Sequence, residues 1–111
     1  GRGEAAHRVA EQAELLEKAG AFSIVLEAMP AELAGEITRS LQIPTIGIGA
    51  GPACDAQVLV INDLLGINDK VPKLAKKFAD LRRVMTDAVQ EFISEVDAGT
   101  FPDEDHSYGE R

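Results

Sequence analysis

Apolar and polar positions follow two regimes along this chain. Two short apolar runs, Phe22-Ser23-Ile24-Val25-Leu26 and Thr45-Ile46-Gly47-Ile48-Gly49, have the near-continuous character of strands buried on both faces. Around them, apolar residues recur at helical spacing. Val9, Ala13, Leu15, Leu16 and Ala19 predict a helix over about residues 4–19, with Lys18 and Gly20 at its C-terminal end. Pro30 opens a second helix over about 31–41, with Glu32 near the positive end of its dipole. Pro44 stops any helix and starts the second strand. The stretch 51–55 reads as a turn, and Gln57-Val58-Leu59-Val60-Ile61 predicts a third strand ending at Asn62-Asp63. After a loop containing Gly66, Pro72 begins a helical stretch through Phe78. A long helix follows over about 81–96, with Val84, Ala88, Phe92 and Val96 on one side and Gly99 and Pro102 as its stop. Residues 100–111 form a polar tail to a single domain.

The resulting order is α–β–α–β–turn–β–α–α. A parallel crossover needs a helix or a long loop between strands. Three such strands with helices on one side cannot close, so edges and one face stay open. The pattern therefore predicts either a third of an eight-stranded α/β barrel or a small open sheet. A first residue other than Met favours a piece of a longer chain.

In parallel barrels the chemistry gathers at the C-terminal ends of strands. Glu27 stands at one such end and the turn Gly47-Ile48-Gly49-Ala50-Gly51 at the next. A carboxylate at the end of a buried strand is partly desolvated, which makes it a better general base. A salt-bridged or helix-capping acid would look the same in sequence. The glycines permit close backbone approach, either to a ligand, as in an anion-binding nest, or to a neighbouring strand. The spacing is neither GxGxxG nor a P-loop. Asp55 and Asp63 read as metal ligands or caps, without a second oxygen ligand at recognisable spacing. His7 reads as exposed, and His106 reaches a site only by folding back.

Composition narrows the classes. Hydrophobic residues make up 45% of the chain and aromatics 5%, which suits helices packed on a parallel sheet better than an aromatic-rich sandwich. The formal net charge of −8 argues against nucleic acid or an anionic membrane as partner. No apolar run approaches the roughly 20 residues of a membrane span. Cys54 is the single cysteine, so an internal disulfide is out and a reducing cytoplasm fits.

Several blocks then point the same way: Gly1-Arg2-Gly3, Val25-Leu26-Glu27-Ala28-Met29-Pro30-Ala31-Glu32-Leu33-Ala34, Ile43-Pro44-Thr45-Ile46-Gly47-Ile48-Gly49-Ala50-Gly51, Cys54-Asp55-Ala56-Gln57-Val58-Leu59-Val60, Pro72-Lys73 and Phe101-Pro102-Asp103-Glu104-Asp105-His106-Ser107-Tyr108. Together they resemble the ketopantoate hydroxymethyltransferase family over essentially the whole chain, at the C-terminal part of a longer family pattern. The resemblance implies the C-terminal portion, about three strands and flanking helices, of a (β/α)8 TIM barrel. It implies a homo-oligomer, usually a decamer, in the pantothenate pathway. The reaction implied is hydroxymethyl transfer from 5,10-methylenetetrahydrofolate to 2-oxoisovalerate, with Mg2+ stabilising the enolate as a Lewis acid.

Under that resemblance Glu27 matches the acid that removes the C3 proton of the oxo acid. By strand-tip geometry, Ile48 and Val60 are expected to line an apolar pocket for the isopropyl group. The family's metal-ligating acids lie on earlier strands, so no metal ligand is expected in this segment and the segment alone should be inactive. Ala56 stands where the family usually has Gly. The competing readings are a metal-dependent 2-oxo-acid barrel of the phosphoenolpyruvate mutase and isocitrate lyase group, or a non-catalytic fragment.

Overall fold

The computed structural model describes residues 2–109, apart from the Arg2 side chain. Gly1, at the head of the first resemblance block, and the last two tail positions, 110 and 111, lie outside the described residues. The chain is α/β, with a three-stranded parallel sheet in the order β1-β2-β3. It divides into two compact units. Among the described residues, one comprises 2–60 and 72–76, the other 61–71 and 77–109.

The first unit holds the sheet. Helix α1 (Arg2–Lys18) has Glu4 in its first turn and Lys18 in its last, both favourable to the helix dipole. It ends at left-handed Gly20, where the Gly20 and Ala21 amides donate to the carbonyls of Glu17 and Leu16. Strand β1 (Ile24–Glu27), helix α2 (Ala31–Ser40) and strand β2 (Thr45–Ile48) then form a parallel β–α–β unit, with Ile24 opposite Thr45 and Glu27 opposite Ile48. Side chains alternate across a strand. Ile24 and Leu26 therefore turn to the helices and join Ala13, Ala34, Ile37, Leu41 and Ala50 in the core. Val25 and Glu27 emerge on the opposite, uncovered face.

Three expectations need correction here. Leu15 and Leu16 are exposed, because the covered stripe of α1 runs through Val9, Ala10 and Ala13 instead. Phe22 is 87% exposed and precedes the strand, which begins at Ile24. The third strand, expected over 57–61, is only Ala56–Gln57 (β3), paired with Ile46 and Gly47. One more rung, from the Val58 amide to the Gly47 carbonyl, prolongs the ladder. Beyond that β2 has ended, and a strand cannot extend without a partner to satisfy its backbone groups.

The link from β2 to β3 spans residues 49–55 and contains no helix, an unusually short route for a parallel connection. Two features make it feasible. Gly47 has no side chain, and a Cβ there would lie 2.8 Å from the Cys54 sulfur and 3.2 Å from its Cβ. The returning chain therefore lies directly on β2. Asp55 then fastens it, since its Oδ2 accepts the Thr45 amide at 2.8 Å while its own amide donates to the Thr45 hydroxyl. Thr45 is fully buried, and its hydroxyl also pairs at 2.8 Å with that of Thr38 on α2. Just before β2, Glu17 on α1 accepts the Gln42 and Ile43 amides and fixes the approach to the strand.

Residues 72–76 complete this unit without a helix. The expected helical stretch from Pro72 is a single turn closed by the Ala75 amide on the Pro72 carbonyl. In the second unit, the Phe78 amide bonds back to the Leu64 carbonyl, which pulls the chain out of any helical path.

That second unit opens with helix α3 (Ile61–Leu64), where a strand end and loop were expected. It continues with helix α4 (Leu81–Ala98), ended by left-handed Gly99, and a 3-10 turn over Glu104–His106. The Leu81 and Arg82 amides donate to the carbonyls of Leu65 and Gly66. Phe101 packs edge-on against Phe92, with ring centroids 5.7 Å apart, and so holds the start of the tail against α4.

Candidate functional site

The chemistry of the first unit converges on the C-terminal ends of β1 and β2. Glu27 is the last residue of β1 and its side chain lies on the uncovered sheet face. The parallel register sets Val25 beside Ile46 and Glu27 beside Ile48 on that face. Expected desolvation is absent: Glu27 is exposed in this chain. Its structural roles are absent too. Among the described residues Glu27 makes no ion pair or hydrogen bond, and α2 has no side-chain N-cap. A carboxylate at a strand end with no structural partner is free to act on a ligand.

The residue after Glu27 is conformationally costly. Ala28 has a φ of 50°, the one non-glycine residue with positive φ among those described. An L-residue there costs roughly 1–2 kcal/mol. The position is held because the Ala28 amide donates to the Ile48 carbonyl at 2.9 Å and the Met29 amide to the Gly49 carbonyl at 3.1 Å. These bonds carry the β1–β2 pairing past the strand ends and fix the outgoing direction of the loop beside Glu27.

The glycine turn serves close packing. At Gly51, with φ of 80°, an added Cβ would sit 2.3 Å from that of Ala31. At Gly49 it would sit 2.7 Å from Leu74. The turn therefore forms a thin backbone ledge between α2 and the Pro72–Leu74 segment. With Ala28 it borders an open cleft of about 540 Å³ lined by Ala28, Gly49, Gly51, Pro72, Lys73 and Leu74. Lys73 is the one charged side chain on that lining, and it has no ion-pair or hydrogen-bond partner among the described residues.

Other candidate residues resolve into structural parts. Asp55 fastens Thr45, as described. Asp63 is buried at 6% exposure and accepts from the Asn68 amide group at 2.8 Å. His7 pairs with Glu11 on the exposed side of α1. His106 pairs with Asp103, whose carboxylate also caps the 3-10 turn. Cys54 is a half-buried free thiol pressed against Gly47. Among the described residues no three His, Cys, Asp or Glu side chains gather where they could hold a metal ion. No helix among them is long and apolar enough to cross a membrane.

Of the two apolar residues expected beside Glu27, Ile48 is its register neighbour and half-buried. Val60 lies outside any strand, 51% exposed, because β3 ends at Gln57. Sequence reasoning missed Ala28 and gave Lys73 no role. Nothing local marks Ala28, since its φ is imposed by bonds to residues some twenty positions away. For Lys73 the available signal was its place directly after Pro72.

Comparison with known proteins bears on these residues together. Residues 1–104 match the family model described as ketopantoate hydroxymethyltransferase. A 3-methyl-2-oxobutanoate hydroxymethyltransferase of Trichlorobacter lovleyi is 55% identical over 109 residues, which are 97% of this chain and 41% of that protein. The enzyme of the same name from Syntrophus aciditrophicus is 56% identical over 110 residues (97% and 40%). That from Streptomyces avermitilis is 58% identical over 109 residues (96% and 38%). The chain thus spans about 40% of the length of the curated relatives it matches.

Proposed function

The chain belongs to the ketopantoate hydroxymethyltransferase family, and from that premise we propose that the whole protein carrying it transfers a hydroxymethyl group to 2-oxoisovalerate. The one-carbon donor is 5,10-methylenetetrahydrofolate and the product is ketopantoate, a precursor of pantothenate. The sheet described above is the C-terminal portion of a (β/α)8 barrel, with its uncovered face turned to the barrel interior. The assembled enzyme is a cytoplasmic homo-oligomer, a decamer, and its ligands are these small molecules. The cytoplasm keeps the single thiol of Cys54 reduced.

Glu27 is the general base. Its carboxylate takes the C3 proton of the oxo acid, and the electron pair left on C3 delocalises into the C2 carbonyl as an enolate. That carbon then forms its new bond to the methylene carbon of the folate, and water supplies the hydroxyl oxygen. Both carbon–nitrogen bonds of that methylene break, their electron pairs and the two protons given up by C3 and water ending on the nitrogens of the released tetrahydrofolate. Ile48, beside Glu27, meets the isopropyl group and orients C3 toward the base. The described residues do not fit the Mg2+ that the family resemblance implies, so its ligands belong to other parts of the whole protein and no step assigned to this chain passes through it.

The observation that carries this reading is Glu27 itself: an exposed strand-end carboxylate without a structural partner, on the uncovered face of a parallel sheet. Incubation of the whole protein with 2-oxoisovalerate and the folate, followed by mass analysis, tests it. The hydroxymethyl adduct is the expected product. Cleavage or phosphoryl rearrangement products, of the isocitrate lyase or phosphoenolpyruvate mutase kind, would overturn it.

A further inference from the structure

We propose that the cleft between the glycine turn and the Pro72–Leu74 segment is a carboxylate-binding subsite, with Lys73 as its anion anchor. The inference rests on the function proposed above and names where a substrate carboxylate is held.

Four observations carry it. The cleft sits past the C-terminal ends of β1 and β2, directly after Glu27, where ligands of parallel α/β sheets bind. Its volume of about 540 Å³ falls within the ordinary range for small-molecule sites. Its lining pairs an apolar surface, from Ala28, Pro72 and Leu74, with a single cation. That cation has no protein partner among the described residues, although the chain has 19 acidic residues against 11 lysines and arginines. In a chain with such an excess of acids, an unpaired ammonium at a cleft is left for an external anion.

The apolar lining selects an organic carboxylate over a bare inorganic anion. Two substrates of the proposed reaction carry carboxylates: the oxo acid and the glutamyl tail of the folate. The cleft is far larger than a five-carbon oxo acid requires. It suits the tail, whose aminobenzoyl ring would rest on Pro72 and Leu74 while its carboxylate meets Lys73.

The test uses the whole protein with 4-aminobenzoyl-glutamate as the probe, titrated calorimetrically against wild type, Lys73→Ala and Lys73→Arg. Affinities for 2-oxoisovalerate are measured in parallel. Lys73→Ala is expected to weaken probe binding about tenfold or more, the worth of a charge-assisted contact. Lys73→Arg is expected to restore most of it, a recovery that a merely structural role would not produce. A tenfold loss of 2-oxoisovalerate affinity with unchanged probe binding would keep the carboxylate subsite and assign it to the oxo acid. Unchanged affinity for both ligands would overturn the proposal. The probe needs no turnover, so Lys73-dependent binding in a protein that makes no hydroxymethyl product would sink the proposed function and leave the subsite standing.

Discussion

Glu27 and Ile48 are register partners at the ends of two parallel strands, and both project from the sheet face that the helices leave uncovered. The pairing puts a carboxylate and a branched apolar side chain about one strand spacing apart. A base beside a hydrophobic contact is what deprotonation next to an isopropyl group requires. Ile48→Ala in the whole protein should therefore raise KM for 2-oxoisovalerate by about tenfold, the worth of a few buried methyl groups. Steady-state kinetics with smaller oxo acids provides the check: 2-oxobutanoate, which lacks a branch, should be affected less.

The Asp55–Thr45 clasp replaces a crossover helix. Asp55→Ala leaves the Thr45 amide without its acceptor and should destabilise the protein by about 2 kcal/mol, the cost of an unsatisfied buried donor. Asp55→Asn keeps an acceptor oxygen and should lose less. Denaturant unfolding of the two variants orders them, and equal stability of all three proteins would contradict the role given to the clasp.

Gly47 is needed because the chain returns across it. Gly47→Ala must displace a sulfur at 2.8 Å and a Cβ at 3.2 Å, a form of overpacking that costs about 1–3 kcal/mol. Cys54→Ala removes the sulfur but not the Cβ. The double variant should then recover part of the loss, a coupling that a double-mutant cycle measures directly.

Ala28 offers the opposite sign. At a φ of 50° glycine relieves strain of roughly 1–2 kcal/mol, against about 0.4–1 kcal/mol of added unfolded-state entropy. Ala28→Gly should be neutral to slightly stabilising, unlike substitution of Ala by Gly in α2. Thermal unfolding distinguishes the two. Any fall in activity with stability retained would show that the constrained turn helps to aim Glu27.

The legible parts of this chain are those fixed by local pattern. The run Ile24–Leu26, Pro30 at the head of α2, Pro44 before β2 and Gly99 after α4 each carry their cause in adjacent residues. The parts that are not legible depend on distant partners. Val58, Leu59 and Val60 favour extended backbone and so suggest a strand over 57–61, yet only Ala56–Gln57 has a neighbouring strand to pair with. Pro72 has the look of a helix start, but the backbone from Phe78 is claimed by Leu64. At the site, Glu27 is visible from its place at a strand end. Asp55 is ambiguous between ligand and cap because Thr45, which decides the matter, is ten residues away in sequence.

The most direct test of the central claim is deuterium exchange at C3 of 2-oxoisovalerate in D2O with Mg2+ and no folate, followed by NMR in the whole protein and its Glu27→Gln variant. Glu27 as the base predicts exchange in the wild type and its loss in the variant, with the variant still folded and binding the oxo acid. Exchange in Glu27→Gln at the wild-type rate would show that another group takes the proton.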